Sequence, residues 1–332
     1  MRRATEHPLS VAPMMDRTNR HYRAFARTLT RRTLLYTEMV TTGAILFGDH
    51  KRHLAFDTSE NPLVLQLGGD EPEALARCAR LAEELGYDEI NLNVGCPSDR
   101  VQRGNFGVCL MGQPELVAKC VAAMREAVKV PVSVKHRIGF DDKDNYEDML
   151  HFVDVVSQSG CDRFTVHARK AWLQGLSPKQ NRNIPPLRYE DVHRLKRERP
   201  ELLIEINGGI TDLSTVQKEL KHSDGVMVGR AAWDNPWMLA RVDTLLYGAE
   251  ADPAKTRHDA VRAHLPYIER MLDVGERLHH LTRPMLLIFA GQPGGKKWRR
   301  HLSEHGHASE AGLQTLLDAL ALVPETLRQS AA

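Results

Sequence analysis

The chain has 332 residues, 45 basic against 43 acidic for a net charge of +2, with 42% apolar and 27% charged. That is the make-up of a water-soluble folded protein with room for a large core, and the near-neutral balance by itself says nothing about partners. No apolar run is long enough to span a bilayer, Met1–Pro8 lacks the apolar core of a secretory signal, and five cysteines without metal-ligand spacing fit a reducing compartment and predict no metal.

From Leu9 to about Gly248, strand-like and helix-like pieces alternate. Candidate strands are Ser10–Met14, Leu34–Met39, Leu63–Leu67, Glu89–Val94, Val130–His136, Arg163–His167, Leu202–Ile206 and Gly225–Val228. Between them, Leu75, Ala79, Ala82 and Leu85 recur at helical spacing, as do Leu116, Cys120 and Met124, and then Met149, Phe152, Val153 and Val156. Eight strands alternating with helices predict an α/β fold, a (β/α)8 TIM barrel, with an open doubly wound sheet as the competing architecture. A small polar stretch, Ala249–Pro253, then leads into an all-helical pattern, so the expected domains are a barrel over 1–248 and a helical domain over 254–332.

Within the barrel, Glu89-Ile90-Asn91-Leu92-Asn93-Val94 alternates polar with apolar, as a strand buried on one side does. Gly95 and Pro97 end it and bracket Cys96, which puts a thiol on a turn just past a strand. Cys78 and Cys120 fall on apolar helix faces, Cys161 at a helix-to-strand junction, and Cys109 between Val108 and Leu110, where it reads as packing. Because such barrels carry their sites at the C-terminal ends of the strands, the residues ending each strand matter most. These are Pro13, Met14 and Met15, then Gln66, Asn93 with Cys96, Lys135, His167 and Asn207. Asn207-Gly208-Gly209 follows the seventh strand and Gly229-Arg230 the eighth, where such barrels hold phosphate against backbone N–H groups.

Taken in order, these segments resemble one family. Asn93-Val94-Gly95-Cys96-Pro97-Ser98 with Phe106-Gly107-Val108-Cys109-Leu110-Met111 is similar to the pattern of the tRNA-dihydrouridine synthases. So are Ala12–Met15, Val134–Gly139, Thr165–Arg169, Asn207–Ile210 and Val228–Arg230. Ser98-Asp99-Arg100-Val101 and Pro293–Arg300 resemble the A branch, which acts on positions 20 and 20a of the D-loop. The likeness runs from about Pro8 to the C-terminal helices.

The resemblance implies a cytoplasmic enzyme that binds FMN in the barrel, takes a hydride from NADPH and reduces the C5–C6 bond of uridine in tRNA. It implies that Pro13, Met14 and Met15 pack on the flavin, that Gln66 bonds its edge, and that Lys135 and His167 contact flavin or uracil. Asn207, Gly208, Gly209, Gly229 and Arg230 would hold the phosphate, and Asn93 would meet the target base. Cys96 would give the proton to C5, a role that needs the thiol form in which a cysteine mostly exists at neutral pH. Lys135 would offset charge arriving near it, by on the order of 4 kcal/mol at 4 Å and an effective dielectric of 20.

Charge distribution supplies the RNA side. Residues 169–199 carry nine Lys/Arg against three acids, and residues 277–301 carry six and none. Lys179, Arg182, Arg299 and Arg300 are the expected tRNA contacts, flanking a groove to the rim, while Trp298 among them reads as a helix anchor. The partner implied by the resemblance is tRNA, with no DNA or membrane, and the chain is expected to be a monomer. The competing readings are an FMN barrel that reduces a free pyrimidine or enone, and an RNA-binding module on a barrel that has lost catalysis.

Overall fold

A computed structural model of the chain describes residues 6–98, 101 and 104–325. The motif residues Asp99 and Arg100 lie outside the described residues. The chain divides into two compact units, Met1–Asp16 with Thr33–Gly229, and Arg17–Arg32 with Arg230–Ala332.

The first unit is a closed parallel barrel. Its strands are β1 (Leu9–Val11), β2 (Leu34–Tyr36), β3 (Val40–Thr41), β4 (Leu63–Gly68), β5 (Glu89–Val94), β6 (Val132–Arg137), β7 (Arg163–His167), β8 (Leu203–Asn207) and β9 (Gly225–Val228). They pair in the order β2-β1-β9-β8-β7-β6-β5-β4-β3, and a β2–β4 pairing closes the ring. Eight positions make the barrel, because β2 and β3 together occupy one: β2 pairs with Leu63 and Val64, β3 with Leu67 and Gly68. The expected single strand Leu34–Met39 is broken at Thr37, whose Oγ1 accepts from the Gln66 N–H at 3.1 Å in place of a backbone carbonyl.

Helices with apolar stripes cover the outside. Pro72–Leu85 buries Leu75, Ala79 and Ala82, while Leu85 stays 44% exposed. Pro114–Ala127 turns Val117, Cys120, Val121 and Met124 inward, so its buried face is centred one residue past Leu116. Tyr146–Ser157 buries Met149, Phe152, Val153 and Val156, as the spacing predicts. Against them stand the outward residues of the strands: Ile90, Leu92, Val132, Val134, Phe164, Val166, Ile204 and Ile206, all fully buried. Each such side chain stabilises the fold by about 1.5–3 kcal/mol.

The alternation in β5 has a different cause from the one its sequence suggests. All six of its residues are buried. Glu89, Asn91 and Asn93 point not to water but into the barrel, whose interior is polar: Arg163 donates to both oxygens of Glu89 at 2.7 and 2.8 Å, and Ser10 and Thr165 donate to Glu205 at 2.6 and 2.5 Å.

In the second unit, helix Arg20–Ala26, capped by the Asn19 side chain, packs on helix Arg257–Asp273. Phe25 meets the His264 ring edge-on at 5.4 Å, and His21 Nδ1 lies 2.8 Å from the Tyr267 hydroxyl. Asp243 accepts from the Thr30 hydroxyl at 2.5 Å and the Arg31 N–H at 2.7 Å. The unit therefore takes in chain on both sides of the polar stretch Ala249–Pro253. Helices Gly295–His305 and Leu313–Ala321 complete its framework. Among the described residues no helix is long and apolar enough to cross a membrane.

Candidate active site

Parallel pairing sets the strand ends level, so the inward residues of their last turns meet at one mouth. Asn93 pairs with Lys135, Arg137 with His167, and His167 with Asn207. Lys135 Nζ donates to Asn207 Oδ1 at 3.1 Å, and Asn207 Nδ2 in turn donates to the Met227 carbonyl at 2.7 Å. Gln66, almost fully buried, bonds Asn93 at 2.8 Å. Pro13 and Met14 are half-buried after β1, and Met15 is 56% exposed.

Cys96 sits just past β5 and is held at both ends of its peptide unit. Its N–H donates to Asn93 Oδ1 at 3.0 Å, an oxygen that also accepts from Gly95 N–H at 3.1 Å. Its carbonyl accepts from Val108 N–H at 3.1 Å. The thiol itself lies 3.5 Å from the Ser98 hydroxyl and is partly exposed. Gly107 lets the following loop close on this turn: at φ +67° a Cβ there would stand 2.6 Å from the Cys96 oxygen and 2.3 Å from Val101 Cγ1. Cys109 is partly exposed rather than fully packed, and burial raises its pKa. The other three cysteines are buried, as expected.

The mouth is electropositive. Burial pushes the Lys135 ammonium down to about 8, with Arg137 adding to the effect, while Glu205 and Cys96 lie close enough to oppose it. Burial, helped by Arg137, Lys135, Arg169 and Arg182, holds His167 well below its ordinary value and therefore neutral. Arg137 is missing from the sequence-derived set, although it lies two residues after Lys135 and so on the same face of β6. The residue is 3% exposed, and among the described residues its guanidinium donates to carbonyls: Gly95 at 2.8 Å, Lys170 at 3.0 Å, Asn181 at 3.2 Å and Arg169 at 3.5 Å. It thus ties the cysteine turn to the loop after β7.

Leu187 of that loop packs against Gly208 and Gly209, which follow β8 at φ +117° and +69°. A Cβ on the first would stand 2.7 Å from the His167 ring, and on the second 2.5 Å from Leu187. Glycine is required at both, so that His167 and the loop can pack on the turn. Gly229 ends the barrel unit; Arg230 opens a short helix, Arg230–Asp234, of the second unit.

Charge counted along the chain overstates the basic surface. Within 169–199, Lys170, Arg188, Arg194, Lys196 and Arg199 all form ion pairs, several with acids from elsewhere: Asp144, Asp154 and Asp224. Lys179 and Arg182 are exposed, and Arg182 is near enough to act on His167 and Arg137. In the second unit Arg299 and Arg300 are exposed, with Arg300 Nε 2.8 Å from Glu304. Trp298 is fully buried, its ring 5.1 Å from that of Phe289.

Comparison with known proteins agrees with this geometry. Residues 10–324 match the dihydrouridine synthase (Dus) family. A protein of Synechocystis sp. named tRNA-dihydrouridine(20/20a) synthase is 60% identical over 314 residues, covering 95% of this chain and 94% of its own. Proteins of the same name from Shewanella oneidensis and Escherichia coli K12 are each 57% identical, covering 94% and 95% of this chain and 92% and 91% of theirs. Among solved structures, a 2-naphthoyl-CoA reductase complex (TM-score 0.56, 9% identity, 71% of this chain and 49% of that one) shares the fold. So does a morphinone reductase mutant in complex with tetrahydroNAD (TM-score 0.51, 13% identity, 74% and 88%). With a barrel of this kind, a clamped cysteine beside a cationic mouth and these likenesses, the chain belongs to the dihydrouridine synthase family.

Proposed function

We propose that the chain reduces uridine to 5,6-dihydrouridine at positions 20 and 20a of the tRNA D-loop, with FMN as its flavin and NADPH as reductant. The observation that carries this reading is Cys96, fixed through its own backbone and within electrostatic reach of Lys135 and Arg137. The donor set suits the cofactor: a half-buried ammonium hydrogen-bonded among the described residues only to an amide oxygen, a neutral imidazole and a guanidinium facing carbonyls together fit a ligand rich in carbonyl and phosphate oxygens. Pro13, Met14, Met15, Gln66, Lys135, His167, Asn207, Gly208, Gly209 and Gly229 would hold it.

A bound flavin supplies the hydride for C6 of the uracil. The chain supplies the rest. Cys96 Sγ holds the proton that C5 must receive, and the Ser98 hydroxyl beside it limits the directions the thiol can take. Asn93 spends both lone pairs of its oxygen on the cysteine turn, so it can offer the base only an N–H. Lys135 opposes negative charge in the mouth, and such charge would raise its pKa again. Lys179, Arg182, Arg299 and Arg300 would contact tRNA phosphates, and the target uridine must be turned out of the folded tRNA to reach the mouth.

The test is Cys96→Ala. Dihydrouridine formation, read by nucleoside mass analysis, should fall about 10²–10⁴-fold, the usual worth of a general acid. NADPH consumption in a single turnover should change far less. Equal loss of both would remove the proton from Cys96.

A further inference from the structure

Below the mouth, a chain of side-chain hydrogen bonds runs from Glu89 to the cysteine turn. Ser133 Oγ donates to Glu89 Oε1, and Asn91 Nδ2 donates to Ser133 Oγ at 2.8 Å. Gln66 Nε2 donates to Asn91 Oδ1 at 2.8 Å, Asn93 Nδ2 donates to Gln66 Oε1 at 2.8 Å, and Asn93 Oδ1 accepts from Gly95 and Cys96. Asn91 and Ser133 are completely buried and Gln66 is 1% exposed, so water cannot stand in for a lost partner.

The sense of this chain follows from chemistry alone. Both oxygens of Glu89 lie against the Arg163 amino group, so Glu89 can only accept and Ser133 must donate its one proton downward. Ser133 then accepts from Asn91, and each amide upward is fixed in turn. At the top, two backbone N–H groups demand the Asn93 oxygen. No single amide can reverse without setting N–H against N–H at the next link, so the three hold or turn together.

We propose that Asn91 and Ser133, neither of which reaches the mouth, are positioning residues that lock Gln66 and Asn93 so that Asn93 meets the substrate as a donor only. The proposal rests on the uridine-reducing reading. A donor at that place fits a carbonyl of the pyrimidine ring and rejects a ring position that itself carries an N–H.

The test compares Asn91→Leu with Asn91→Asp in the full-length, flavin-loaded chain. Leucine keeps the volume but carries no polar atoms. A protonated aspartic acid keeps both, its C=O accepting from Gln66 and its O–H donating to Ser133. Asn91→Leu should lose about 10- to 100-fold in kcat for uridine reduction with a smaller change in KM for tRNA. Burial at 0% exposure close to the Glu89 carboxylate disfavours ionisation of the new carboxyl, so Asn91→Asp should exceed Asn91→Leu by about tenfold or more at pH 6 and lose that advantage as pH rises. Should Asn91→Leu fail to fold, Ser133→Ala takes its place with the same expectation. Wild-type kcat in Asn91→Leu or Ser133→Ala overturns the proposal, as does Asn91→Asp no better at pH 6 than Asn91→Leu or its replacement. A wild-type chain that reduces no uridine would instead overturn the proposed function.

Discussion

Replacing Arg163 with methionine tests the polar barrel interior directly. Arg163 reaches both oxygens of Glu89 at 2.7 and 2.8 Å and the Tyr36 hydroxyl at 3.0 Å, and the two charged side chains are only 7% and 10% exposed. Methionine fills much of the volume but strands the carboxylate, and breaking a buried pair in this way costs about 3–5 kcal/mol. With a urea m-value of roughly 3 kcal/mol/M, the unfolding midpoint should drop by about 1–1.7 M, followed by circular dichroism. The penalty should also depend on pH. Burial already raises the Glu89 pKa and Arg163 opposes that rise; without the arginine, the folded carboxyl goes higher still. Between the unfolded value near 4.3 and that raised value, the native state binds more protons, so stability falls as pH increases. The loss should therefore be smaller at pH 5 than at pH 8. Arg163→Met with Glu89→Leu should recover most of the stability, since an apolar pair of similar volume can replace a buried ion pair. It should not recover uridine reduction, because the hydroxyl of Ser133 then has no acceptor below it. A midpoint shift under about 0.3 M, or a double variant no more stable than the single, would refute the reasoning.

Lys135 gives an opposite pH signature. Its folded pKa is about 8 against an ordinary 10.5, so between those values the unfolded chain binds more protons and stability rises with pH. Relative to Lys135→Met, wild type should gain on the order of 2–3 kcal/mol across that window; parallel melts at pH 7.5 and 10 that differ equally would contradict it. Gly107→Ala should drive the loop off the Cys96 carbonyl, cutting uridine reduction by about 10²-fold while the flavin stays bound; unchanged turnover would dismiss the clamp. Binding of tRNA should weaken steeply with salt, and Lys179→Ala, Arg182→Ala, Arg299→Ala or Arg300→Ala should each lower the log–log slope by about 1. A slope unaltered by any of the four would remove these side chains from the interface.

What could be read in the chain depends on how local the cause is. Helical stripes such as Met149, Phe152, Val153 and Val156 are set by a 3.6-residue period and appear without any knowledge of partners. Strand ends are nearly as clear, since Asn93, Cys96, Lys135, His167 and Asn207 stand where apolar runs stop, and parallel pairing then levels them. The polar face of β5 was open to two meanings, because alternation shows that one side differs and not whether water or a barrel lies against it. Nothing along the chain distinguishes Arg137 for a related reason: only the closed barrel brings its guanidinium among the carbonyls of Gly95, Lys170 and Asn181.

The sequence by itself determined the strand–helix alternation, the cysteine turn and the family likeness, because each is written in short segments whose order survives without coordinates, whereas closure of the ring rests on the β2–β4 pairing. The tertiary structure decided three other things. It cancelled much of the basic run at 169–199 by bringing Asp144, Asp154 and Asp224 to it, it assigned Arg17–Arg32 to the helical unit, and it joined Glu89 to the Cys96 N–H through four intervening side chains. Each depends on residues far apart in the chain, and charge, burial and hydrogen-bond sense belong to neighbours in space, which no window along the sequence contains.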